Sequence, residues 1–315
     1  MARPLRIEYP GAFYHVTARG NEQKDIFKSQ RDREKFLSYL ETATQRYDAV
    51  IHAYCLMNNH YHLMVETPRG NLSQIMKHIN SSYTTYYNVK RKRAGHLLQG
   101  RYKSILVDMD EYATELSRYI HLNPVRVGIV ESPEEYRWSS CRYYTGGTAA
   151  PAWLHTDFIL GYFGNKKDAA QKKYRQFVDD LIGREYSSPL LATVASTILG
   201  GEEFVSEIQD RHLSDRKTDR EQPALRKLSG KPSPEEIVKA VRKAIPADDR
   251  LATKAAIYLC HRFSGAKLRE IGALFQVTES GITQASKRFG QKMDGDEQVK
   301  EVVRKVGKSL NLSIV

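Results

Sequence analysis

Apolar and polar positions recur along this chain with two periods, and their order predicts the elements. Ala12-Phe13-Tyr14-His15-Val16-Thr17-Ala18-Arg19, set between Gly11 and Gly20, reads as a first strand. From Arg31 to Tyr47 the residues Phe36, Leu37, Leu40, Ala43 and Tyr47 recur at steps of three and four between charged residues, the spacing of an amphipathic helix. Ile51 to Met57 and His60 to Glu66 are two short apolar runs parted by Asn58-Asn59, a hairpin signal. Asn71-Leu72-Ser73 is expected to cap a long helix running towards Arg93, with Leu72, Ile75, Met76, Ile79 and Tyr83 on one side. An acidic start at Asp108, Asp110 and Glu111 opens a further helix. Pro124 and Gly128 are expected to stop it, which places Tyr119 in the last turn and Asn123 at the end. Strand, helix, two strands, helix, strand, helix is an α+β order and suits an antiparallel sheet backed by helices.

The pattern changes shortly before the middle of the chain. Residues from Glu131 to Trp153 are rich in Pro, Gly, Ser and Tyr, which marks the edge of a first domain spanning 1–148. Tyr136, Trp138, Tyr143 and Tyr144 are expected to pack beneath that loop rather than to meet bases. A helical extension is expected over 149–210, then a charged linker with few apolar anchors over 211–234. An all-α domain follows over 235–315, with helices starting near Glu235, Leu251 and Lys267. Val277 to Phe289 adds a turn and a fourth helix at helix-turn-helix spacing, with Ser280, Thr283, Gln284, Lys287 and Arg288 facing outward. A plain helical bundle fits the same stretch.

Candidate chemistry concentrates in the first domain. Alternate side chains of a strand share a face, so His60 and His62 project together with Cβ atoms roughly 6–7 Å apart, near enough to grip one ion. Alone, such a pair is at home as two structural histidines. Tyr119 and Asn123 stand four apart on a helix and so share a face, at about 5–6 Å between Cβ atoms. A phenol facing a metal-polarised phosphate is a competent nucleophile for phosphoryl transfer. Tyr86, Tyr87, Lys90, Arg91, Lys92 and Arg93, followed by Arg101 and Lys103, interleave aromatic faces with cations. That mixture suits unpaired bases and phosphates, while a solvated basic helix end is the plainer account.

Composition narrows the partner. The chain has 315 residues and a formal net charge of +12, enough length for two modest domains and a surplus that favours a polyanion. Ribosome-associated and membrane-surface proteins share that surplus. Three scattered cysteines, Cys55, Cys141 and Cys260, argue against a disulfide framework or a zinc knuckle and fit a reducing cytoplasm. No apolar run approaches the ~18 residues a membrane helix needs. Met1-Ala2-Arg3-Pro4-Leu5-Arg6 lacks the apolar core of a signal peptide, so the expected location is cytoplasmic, at the nucleoid.

Met57-Asn58-Asn59-His60-Tyr61-His62-Leu63-Met64-Val65, followed roughly sixty residues later by Tyr119-Ile120-His121-Leu122-Asn123-Pro124-Val125-Arg126, resembles the HUH single-strand transposases, in particular the REP-associated tyrosine transposases. The resemblance covers roughly residues 3–145. It implies a ferredoxin-like fold, a divalent ion (Mg²⁺ or Mn²⁺) held by His60 and His62 with Asn123 as the helix-borne polar ligand, and Tyr119 as nucleophile. Residues 235–290 are similar to the C-terminal DNA-binding domain of the bacterial replication initiator. Together these imply a metal-dependent endonuclease and strand transferase that cleaves single-stranded DNA beside a hairpin through a 5′-phosphotyrosine, with adjacent duplex as a further partner. A non-catalytic DNA-binding regulator and a metal-dependent nuclease using water are the alternatives. A homodimer is among the arrangements left open.

Overall fold

Alternation along four short strands decides which side chains meet. In a computed structural model, which describes residues 5–213, 224, 228, 232–310 and 312, these strands are β1 (Ala12–Arg19), β2 (Val50–Leu56), β3 (His60–Thr67) and β4 (Lys103–Val107). They pair antiparallel in the order β2-β3-β1-β4, with helices α1 (Gln30–Tyr47) and α2 (Leu72–Lys90) in the connections. That is the ferredoxin-like arrangement. Tyr61 on β3 points to the α1 and α2 side, its ring 4.8 Å from Phe36 and its hydroxyl donating to Asn80 Oδ1 at 2.7 Å. On the other face Ala53, Cys55 and Met64 pack with Leu116 and Ile120 of helix α3 (Met109–Arg126).

Several expectations change in detail. Asn71 occupies the N-cap position of α2 but makes no capping bond; its amide donates to the Tyr47 carbonyl at 3.0 Å. The same helix stops at Lys90, before Arg91-Lys92-Arg93. Pro124 does not stop α3, which continues to Arg126. A proline lacks the N–H that would reach the Ile120 carbonyl, and Asn123 Nδ2 compensates by donating to Tyr119 O at 2.7 Å and to Ile120 O at 3.5 Å.

The extension is not purely helical. After α4 (Cys141–Tyr144), α5 (Asp157–Gly161) and α6 (Lys167–Asp179), the short strand β5 (Ile198–Leu199) pairs parallel to β4 and makes the sheet mixed rather than antiparallel. Helix α7 (Glu202–His212) follows. Tyr136, Tyr144, Ile159, Leu160, Tyr174 and Val178 join the cluster that α3 forms over the sheet. His121 of α3 anchors this layer, with Tyr174 Oη 2.7 Å from its Nδ1 and Ser140 Oγ 2.8 Å from its Nε2. Tyr174 in turn donates to Ser117 Oγ at 2.9 Å.

The chain divides into two compact units, Arg6–Glu207 and Ile208–Val315 with Met1–Leu5. The linker expected over 211–234 lies mostly outside the described residues. Beyond it come α8 (Pro234–Ala244), α9 (Asp249–Phe263), α10 (Leu268–Phe275), α11 (Glu279–Gly295) and α12 (Glu297–Ser309), the last not foreseen from the sequence. Ile237, Val241, Leu259, Ile271, Ile282 and Phe289 form their core. Residues 276–278 join α10 to α11, and a Cβ at Gly272 would collide with the Val277 carbonyl, so glycine is what lets that turn close. No helix among the described residues is long and apolar enough to cross a membrane. All three cysteines are buried thiols.

Candidate active site

Three imidazoles cluster on the sheet face opposite Tyr61. Register pairs His60 with Arg19, His62 with Thr17 and His15 with Met64, so His15, Thr17, His60 and His62 all project towards α3. The His60 and His62 ring centroids are 5.0 Å apart, and those of His62 and His15 are 5.2 Å apart with planes 10° from parallel. Tyr119 reaches the same place from α3, its ring edge-on at 5.9 Å from His62 and 6.1 Å from His15. Tyr119 and His62 therefore meet within one chain, with His60 next to His62.

Hydrogen bonds fix the rings. His60 Nδ1 lies 2.7 Å from Asn59 Oδ1, an oxygen that can only accept, so the proton is on Nδ1 and the lone pair on Nε2. His62 Nδ1 lies 3.0 Å from His15 Nε2. Burial pushes His62, which is 6% exposed, well below the usual imidazole range, with neighbouring His15, His60 and Arg126 adding to it. It also lowers His60, helped by Arg19, and brings His15 down to about 4. All three are neutral at pH 7, the form in which an imidazole offers a lone pair.

Asn123 is buried in the last turn of α3, and its Oδ1 takes no hydrogen bond from the described residues. Arg126, one further turn along from Leu122, lays its guanidinium over the Tyr119 ring at 5.2 Å and over the Tyr186 ring at 5.3 Å. Beside it opens a cleft of about 640 Å³ lined by Arg126, Arg184, Tyr186 and Ser187 among others. His15, Arg19 and Arg126 were not singled out from sequence. The alternation that pairs His60 with His62 also puts His15 on an inward face of β1, which was the available signal; which strand lies beside β3 was not.

The basic segment splits in two. Tyr87 is 2% exposed and its hydroxyl donates to the Asp25 carbonyl at 3.2 Å, so its ring is core rather than a stacking platform. Lys90 Nζ and Arg91 Nη2 grip the fully buried Asp32 at 2.5 and 2.6 Å, and Tyr86 Oη lies 3.4 Å from the same carboxylate. Those two cations tie α2 to α1, and their side chains stay 29% and 31% exposed. Lys92, Arg93, Arg101 and Lys103 are exposed. Lys103 pairs with Thr17, which also pairs with His62, so it shares the sheet face of the histidines. In the C-terminal unit Thr283, Gln284, Lys287 and Arg288 are exposed on α11, while Ile282, Ser286 and Phe289 turn inward.

Residues 9–123 match the sequence model of a family described as transposase IS200 like. The match spans the H-x-H strand, Tyr119 and Asn123, so the resemblance read from the two motifs stands for this part of the chain. No curated protein matches. Among solved structures, that of a REP-associated tyrosine transposase bound to a REP hairpin is similar, with 16% identity and a TM-score of 0.42 over 50% of this chain and 93% of that one.

Proposed function

We propose that the N-terminal unit is a metal-dependent single-stranded DNA endonuclease and strand transferase, with Tyr119 as its nucleophile. The observation that carries this is the approach of Tyr119 from α3 to within 5.9 Å, ring to ring, of His62 on the face that also holds His60. The Tyr119 hydroxyl gives up its proton as its oxygen forms a bond to phosphorus, the P–O3′ bond breaks, and the departing 3′ oxygen takes up a proton, leaving a 5′-phosphotyrosine. Bond energy is conserved in the ester, so a 3′ hydroxyl can reverse the step and rejoin the strand.

Two neutral imidazoles and the Asn123 amide oxygen suit a hard divalent ion, Mg²⁺ or Mn²⁺, that keeps its other positions for water and phosphate oxygens. Among the described residues no group of three or more His, Cys, Asp or Glu side chains is placed to hold an ion, so the proposed site relies on His60, His62 and the Asn123 amide. When bound, the ion would polarise the scissile phosphate and neutralise its developing charge. The chain's own part is positioning: His60 and His62 fix where the phosphate sits, and α3 fixes the line of attack. Arg126 lies against the nucleophile's ring, and exposed Lys103 and Arg101 supply phosphate contacts for a single strand or hairpin.

For the C-terminal unit we read α10, the turn at 276–278 and α11 as a helix-turn-helix. Thr283, Gln284, Lys287 and Arg288 would then face a duplex groove. The test of the whole reading is incubation with labelled single-stranded hairpin DNA and Mn²⁺, followed by a denaturing gel. A protein-linked band that needs Tyr119 supports transesterification. Cleavage without any such band means that water attacks.

A further inference from the structure

His15 lies next to the proposed ion site and has no part in the chemistry above. It is buried on β1, its ring parallel to that of His62, and its Nε2 is 3.0 Å from His62 Nδ1. Two neutral imidazoles in such contact share one proton. If His62 donates from Nδ1, its lone pair is on Nε2 and can serve a cation; if His62 accepts at Nδ1, its Nε2 carries hydrogen and offers nothing. The other nitrogen of His15, Nδ1, is buried without a hydrogen-bond partner. It is unpaired in either case, as an N–H or as a lone pair, so it does not decide between the two forms. His60 supplies the comparison, because Asn59 Oδ1 accepts its Nδ1–H and leaves its Nε2 unprotonated. A ligand histidine whose second nitrogen donates to a neighbouring acceptor is held in both ring orientation and tautomer.

We propose that His15 is a positioning residue: its Nε2 accepts the His62 Nδ1–H and holds His62 in the tautomer that leaves Nε2 free to bind the ion. This rests on the two-histidine ion site proposed above. His15 would play for His62 the part that Asn59 plays for His60, so each histidine of the pair has its own acceptor. The two rings lie close to one plane, edge to edge, so His62 cannot turn out of that plane without breaking the contact.

The test uses the full chain and reads Mn²⁺ binding from the electron paramagnetic resonance signal of the free ion. His15→Phe keeps a ring and removes the acceptor; His15→Gln removes the ring and keeps an acceptor. The Phe variant is expected to bind Mn²⁺ about 10- to 100-fold more weakly, and the Gln variant to recover most of that loss. Phe binding within a few-fold of wild type, or Gln as weak as Phe, overturns the proposal. Should the Phe variant not fold, nitrogen-15 spectra of the wild-type imidazoles with Mg²⁺ decide, since the proposal requires His62 protonated at Nδ1 alone. Wild type that binds Mn²⁺ with the opposite tautomer sinks the role of His15 only. Wild type that binds no Mn²⁺ removes the ion site itself and His15's role with it.

Discussion

Tyr61 sits between two histidines and points the other way, into the layer beneath α1 and α2, where its ring meets Phe36. A hydrophobic residue at that position anchors the strand, and the period of two then delivers both imidazoles to the opposite face. This much was legible in the residues themselves. What the residues could not show was which strand lies beside β3, and so His15 went unnoticed. Tyr119→Phe is expected to abolish cleavage and the covalent band while hairpin binding stays within a few-fold of wild type; a Phe variant that still cleaves would reassign the nucleophile. Anything that binds only the folded state raises its melting temperature, so Mn²⁺ should shift the wild type upward. His60→Ala and His62→Ala should each lose that shift yet melt cooperatively, and a collapse of either variant with no shift in wild type would mark the histidines as structural.

The basic end of α2 has a structural role that its sequence does not announce. Tyr86, Lys90 and Arg91 have the composition of a nucleic-acid surface, but their partner Asp32 stands at the start of α1, where no local pattern reveals it. Burial alone would raise the Asp32 carboxyl, yet hydrogen bonds from Lys90 and Arg91 bring it down to about 2. The link between α1 and α2 therefore holds above the ordinary aspartate range and is lost as pH falls through about 2. Asp32→Asn is expected to cost about 2 kcal/mol in denaturant unfolding at pH 7, short of the ~3–5 for a wholly buried pair because Lys90 and Arg91 reach solvent. An unchanged midpoint would make the cluster ornamental. Helix α3 carries a second test. Burial pushes His121 down to about 3, so it stays neutral in the fold while an unfolded imidazole charges near 6.5. Protons then favour the unfolded chain, and His121 alone should remove about 2 kcal/mol of stability from pH 7 to pH 5, beside what the other buried histidines remove. His121→Gln, which keeps hydrogen-bonding capacity without titrating, should show a smaller drop, and an equal one would acquit His121.

At the scale of the molecule, two units carry different surfaces. The exposed set on α11, including Lys287 and Arg288, was legible because residues three and four apart share a helix face. The extension was not, since its docking depends on Tyr174 reaching His121, and β5 is two residues long. Replacing Lys287 and Arg288 together by Ala in the full chain should lower the salt slope of binding to hairpin DNA with a duplex arm by about 2, at roughly 0.9 per lost phosphate contact. The covalent band on a short single strand should not change. An unaltered slope would leave α11 as a protein-contact or packing helix. One further consequence follows from the pinning of α3 by His121, Ser140 and Tyr174, just two residues past Tyr119. A helix anchored so close to its reactive phenol holds that phenol against its own sheet. On the proposed chemistry each molecule carries one DNA end at a time, and the strand that completes the exchange has to travel to the protein.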